Sequence, residues 1–126
     1  MKSYNIRTLL VVVFALVIGL TTSYSQKKAT IHGELVELQS YVKDGTKPTS
    51  PSKKEVVMEN IKKGGSLAII EYATKKLYII APSEADTMFT KNVTPYLGMK
   101  SFVKGPVYSR NGVRLIILED IGKSLK

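Results

Sequence analysis

The 126-residue sequence predicts a mainly-β protein: a small five-stranded barrel with one or two short helices, preceded by a signal peptide. Three observations predict it. Residues 1–25 read as an export leader. Apolar and polar residues alternate with period two from Ile31 onward, and two later pairs of β-type runs are each joined by a short turn.

In the leader, Lys2 and Arg7 precede the apolar run Leu9–Leu20, and Thr21-Thr22-Ser23-Tyr24-Ser25 follows. A membrane-spanning helix needs about 20 apolar residues, and this run is too short for one. Cleavage before Gln26 would put Ser23 and Ser25 at the −3 and −1 positions, where small side chains are required. The expectation is export to the periplasm or the extracellular space of a bacterium, with no stable membrane span after cleavage; the alternative is an uncleaved anchor. The leader divides the chain into residues 1–25 and a single domain at 26–126. About 100 residues suffice for one core and not for two.

Exported small domains often carry disulfides. This chain has no cysteine, so an apolar core or a partner must hold the domain together. Of 19 basic residues, Lys2 and Arg7 fall in the leader; the other 17 against 10 acidic residues leave a net +7 on the domain. Much of that charge comes as the pairs Lys27-Lys28, Lys53-Lys54, Lys62-Lys63 and Lys75-Lys76. Such a surface favours anionic partners. The plainer reading is solvated lysines that keep strand edges apart.

The elements follow in order. Ile31–Val42 alternates over most of its length and reads as one long strand, with Gly33 marking a bulge or bend that lets it serve two parts of a curved sheet. Asp44–Ser52, with Pro48 and Pro51, reads as a loop. Ser52 and Glu55 have capping-box spacing for a helix over Lys53–Lys63, whose stripe is Val57, Met58 and Ile61, and Gly64-Gly65 ends it. Ser66–Ala73 and Lys76–Ala81 read as a hairpin around Thr74-Lys75. Ser83 is placed to cap a short helix before a loop to Gly98, with Met88, Phe89, Val93 and Leu97 as core contacts. Met99–Ser109 and Val113–Ile121 form the last hairpin around Asn111-Gly112, a type I′ signal, with a bend at Gly105-Pro106. Lys123–Lys126 should fray.

The search for chemistry is mostly negative. His32 is the only histidine, and with no thiol the sequence offers no metal site beyond a weak His32/Glu34 pair. No nucleophile motif or phosphate-cradling loop is present, and Glu119-Asp120 are adjacent, so a strand would turn them to opposite faces. The expectation is a protein that is not an enzyme and carries no cofactor. The candidate ligand-binding residues are Tyr72, Lys75, Lys76 and Tyr78 on the central hairpin, with Tyr108, Arg110 and Arg114 on the last one. Ile116 and Leu118 are candidates for an exposed apolar patch.

The bent strand at Gly33, the hairpin Ser66–Ala81, the helical link and Phe102–Tyr108 followed by Val113–Ile117 together resemble an OB-fold. The chain is also similar to small exported bacterial OB-like proteins whose first strand runs into an Asp-x-x-Cys-Tyr segment with further Cys and His. The matching stretch here is Glu37-Leu38-Gln39-Ser40-Tyr41: Ser40 takes the cysteine position, and Val42–Lys63 has neither Cys nor His. The resemblance thus implies the scaffold without a metal or redox role. The favoured function is a binding or accessory module for an anionic ligand, envelope component or protein partner. A single-stranded nucleic-acid binder, or a degenerate relative of a metal- or redox-linked exported protein, is the alternative; OB barrels bind single strands with stacked aromatics and a basic groove.

Overall fold

The structure, a computed structural model, describes residues 27–84 and 88–126. The expected signal peptide lies outside them. Among the described residues there are six strands: β1 (Lys28–Glu37), β2 (Leu67–Glu71), β3 (Leu77–Ala81), β4 (Lys100–Arg110), β5 (Val113–Ile117) and β6 (Asp120–Lys123). Three short helices accompany them: α1 (Leu38–Asp44), α2 (Pro51–Lys62) and α3 (Phe89–Val93), the last running into a 3₁₀ turn at Thr94–Tyr96. None of these helices is long and apolar enough to cross a membrane.

The sheet order β1-β2-β3-β5-β4 closes on itself through β1–β4 pairing, and β3 and β5 run parallel. This is the expected five-stranded OB-like barrel, with β6 as an added strand. Closure depends on long strands that serve two neighbours each. β1 pairs with β4 over Lys28–Glu34 and with β2 over Gly33–Glu37. The two ladders overlap at Gly33 and Glu34, and a Cβ on Gly33 would overlap the Ile70 carbonyl oxygen. Only glycine lets the strands approach so closely there.

β4 shares one edge between two strands. Val107 pairs with Ile116 on β5, and Lys104 with Asp120 on β6. Ile117, Leu118 and Glu119 therefore lie opposite only Gly105 and Pro106, a one-residue bulge. The sequence places a bend at Gly105-Pro106; the extra residue sits on the strand facing it and splits Val113–Ile121 into β5 and β6. A Cβ on Gly105 would overlap the Ile117 carbonyl oxygen. Leu118 N–H donates to the Ala81 carbonyl at 2.9 Å, tying the bulge to β3.

Several expectations are corrected. The first strand stops at Glu37 rather than Val42. The Glu37 carboxylate accepts the amides of Gln39 and Ser40 as an N-cap, and left-handed Gly45 ends the resulting helix α1. Pro51 does not bar structure: it is the first residue of α2, and Ser50 rather than Ser52 caps it, accepting from Lys53 N–H at 3.3 Å. The β2–β3 connection spans Tyr72–Lys76, because Glu71 still exchanges a bond with Lys76 and Lys75 turns at φ 62°. α3 starts at Phe89 with no side-chain cap, so Ser83 does not initiate it. Its core contacts are Val93, Leu97 and Phe89, whereas Met88 is exposed. The tail does not fray at Lys123, which pairs with Ser101; Ser124 is buried, and its N–H donates to the Lys100 carbonyl at 2.8 Å. The Asn111-Gly112 turn has positive φ at both residues, as expected.

Two apolar clusters hold the fold. The main one fills the barrel with Ile31, Leu35, Ile69, Ile80, Val103 and Ile116, and α2 and α3 plug its end with Val57, Ile61 and Val93. The second lies outside the barrel, where Leu38 and Tyr41 of α1 cover Val36, Ala68 and Ile70. β2 is consequently buried on both faces over Leu67–Ile70.

Candidate binding surface

The parallel pairing of β3 with β5 decides which candidates meet. Ile79 stands beside Leu115, so both strands begin at the same end of the barrel. The turn before β3 carries Lys75 and Lys76; the turn before β5 joins Arg110 to Val113, with Arg114 next in line. Four cations thus gather at one end, opposite the end plugged by α2 and α3. The three ion pairs among the described residues, Lys28–Glu119, Lys47–Glu34 and Lys62–Glu59, involve none of them.

The tip is locally ordered. The Thr74 hydroxyl donates to the Glu71 carboxylate, Lys75 N–H to the Glu71 carbonyl at 2.9 Å, and Lys76 N–H to the Thr74 hydroxyl oxygen at 3.2 Å. Glu71 is therefore engaged within its own turn, and the lysine ammonium groups are exposed.

The three tyrosines do not share one surface. Tyr78 pairs across with Ile69, which faces the interior, and it packs against the main core. Tyr72 is half-buried beside β1: its N–H donates to the His32 carbonyl at 3.0 Å. It lines a cleft of about 160 Å³ with Glu34, Pro48, Thr49, Met99 and Lys100. Burial raises its phenol pKa above the ordinary value, and the Glu34 carboxylate raises it further. Tyr108 is 39 % exposed and points outward from β4.

The remaining polar residues have local duties. His32 shares a 2.8 Å hydrogen bond with the Ser124 hydroxyl and lies 6.1 Å from the Phe102 ring. Glu34 pairs with Lys47 at 3.6 Å, so His32 and Glu34 have separate partners. Ser40, at the cysteine position of the resembled proteins, is buried in α1, where its hydroxyl donates to the Glu37 carbonyl at 3.3 Å. Among the described residues no three His, Asp or Glu side chains are grouped to hold a metal ion.

Ile116 and Leu118 are not an exposed patch: they are 0 % and 6 % exposed and belong to the main core. The outward positions are Leu115 and Ile117. Sequence alternation could have found them only with a fixed register, because Leu115–Leu118 is apolar throughout.

Comparison with known proteins gives no matching family model and no matching curated protein.

Proposed function

We propose that this chain is an exported, non-catalytic OB-like binding or accessory module, periplasmic or extracellular, that recognises an anionic envelope component, ligand or protein partner. The leader supports export, and the resemblance to small exported OB-like proteins agrees with it. The observation that carries the binding reading is the gathering of Lys75, Lys76, Arg110 and Arg114 at one end of the barrel without a paired carboxylate. A cluster of one sign at an exposed end concentrates anions and speeds their encounter. Tyr78 is turned into the core, which removes one of the aromatic platforms a single-strand binder would use.

The test is retention on immobilised heparin as a soluble polyanion, followed against salt. Each cation that meets the polyanion contributes about one unit to the slope of log affinity against log salt. The triple variant Lys75→Ala, Lys76→Ala, Arg114→Ala should elute at lower salt, with the slope reduced by about three. Unchanged retention removes the tip as the contact surface.

A further inference from the structure

Beside the cationic tip, the outward face of β3 beyond Leu77, of β5 and of the second half of β4 belongs to neither core. Ile79 stands beside Leu115, and Leu115 opposite Tyr108, making one row across three strands. Ala81 and Ile117 form the next row, and Val113 pairs with Arg110 nearest the tip. Alternation fixes their direction, because the intervening Ile80, Ile116 and Val107 point into the main core. Ile79, Leu115 and Ile117 are half-buried, in neither buried cluster and not packed against one. Val113 is 58 % exposed. Helix α1 covers the adjoining outer face over β1 and β2 and reaches no further than Leu77. None of these outward positions carries a carboxylate, Arg110 lies among them, and Lys75 and Lys76 adjoin them.

We propose that this face seats on an anionic lipid bilayer. Ile79, Leu115, Ile117 and Tyr108 enter the boundary between headgroups and acyl chains, and Arg110, Lys75 and Lys76 meet lipid phosphates. This rests on the reading that the tip contacts an anionic partner. Charge selects this occupant over a second copy of the chain. A two-fold contact places the same patch on both sides, and here each patch would set its excess of cations against the other's, the one carboxylate at the tip, Glu71, being already held by the Thr74 hydroxyl. A bilayer supplies the apolar layer and the anionic layer together, and surface binding grows with both terms. Tyrosine, with an apolar ring and a polar tip, suits the headgroup level.

The experiment uses residues 26–126, which hold every described strand and both cores and exclude the leader, whose apolar run would bind lipid by itself. Co-sedimentation is measured with phosphatidylcholine vesicles, with and without phosphatidylglycerol. Binding to the phosphatidylglycerol vesicles is expected. The double variant Ile79→Ser, Leu115→Ser should weaken it about tenfold or more while leaving heparin retention intact, its folding checked by circular dichroism. The chain has no tryptophan, so Tyr108→Trp adds a reporter whose emission should shift to shorter wavelength on these vesicles alone. Heparin retention without vesicle binding overturns this proposal and leaves the tip reading standing; loss of both overturns both. Unshifted Tyr108→Trp emission overturns it as well. So does a dimer in sedimentation velocity that the double variant abolishes, since that would give the face to a second copy.

Discussion

Gly33→Ala tests the geometry on which barrel closure depends. Built on the native backbone, the new Cβ would overlap the Ile70 carbonyl oxygen and lie 2.7 Å from its carbonyl carbon. Carbon atoms in contact prefer about 3.5–4.0 Å, so β1 and β2 must part by about 1 Å. Both neighbours are backbone, which cannot swing aside as a flexible side chain would. That displacement disrupts the pairs Gly33↔Glu71 and Glu34↔Ile70. Two weakened backbone hydrogen bonds at about 1 kcal/mol each, with loosened packing around buried Ile70, bring the cost to about 3 kcal/mol. Against it stands the stiffening of the unfolded chain by alanine, about 0.4–1 kcal/mol. The close approach wins, and a net loss of about 2–3 kcal/mol is expected. Urea unfolding followed by far-ultraviolet circular dichroism should show the midpoint falling by about 1–2 M. Gly45→Ala is the comparison: its φ is +70° but no atom lies within 4 Å, so only the left-handed conformation is penalised, by about 1 kcal/mol. If Gly33→Ala proves no more harmful than Gly45→Ala, the close-approach account of β1 is wrong.

Buried Glu37 and half-buried Tyr72 carry two further predictions. Glu37→Ala removes a 2 % exposed carboxylate and strips the amides of Gln39 and Ser40 of their acceptor, which should cost about 2 kcal/mol in urea unfolding; Glu37→Gln keeps an acceptor and should recover part of it, and a loss for Glu37→Ala below about 0.5 kcal/mol would refute the capping role. The Tyr72 phenol, raised by burial first and by Glu34 second, binds its proton more tightly in the folded than in the unfolded chain. Its contribution to stability is therefore complete below the ordinary tyrosine pKa and lost as pH rises through the raised folded value. Alkaline difference titration against Tyr72→Phe should report that raised value. Glu34→Gln should lower it only part of the way, since burial remains; no movement at all would remove Glu34 as a cause.

The parts of the fold legible in the sequence are those where a single local signal has one solution. Asn111-Gly112 permits one kind of turn, and Gly33 within an alternating run marks where one long strand comes to serve two neighbours. The end of the first strand is not legible because Leu38, Tyr41 and Val42 satisfy a helical period as readily as they continue a strand. The decision falls to Glu37 as cap and Gly45 as stop, and both lie outside the ambiguous residues. β6 was hidden because a bulge is a relation between two strands, and Val113–Ile121 alone carries no mark of it. The candidate site shows the same division. Its charges are plain in the sequence, but only the parallel β3–β5 pairing brings both tips together, and only the Ile69↔Tyr78 register turns Tyr78 inward.

Strand pairing also explains how a chain without cysteine keeps a small barrel closed. Closing a sheet removes its edges but demands that strands turn sharply. Here β1 passes from β4 to β2 around Gly33, where β2 comes closest, and β4 passes from β5 to β6 at the bulge opposite Gly105. The handover at Gly105 has a second consequence. It ends β5 at Ile117 and lets Leu118 dip into the core, donating to Ala81 on the way. The bulge thus ends the outward aliphatic row of β5 at Ile117, while the parallel β3–β5 pairing sets that row beside Ile79 and Arg110 and Arg114 near Lys75 and Lys76. The β3–β5 ladder, one of those that close the barrel, is also the one that sets an apolar face next to a cationic end. Loss of that pairing would therefore scramble the proposed surface along with the fold, whereas outward substitutions such as Leu115→Ser should touch the surface alone.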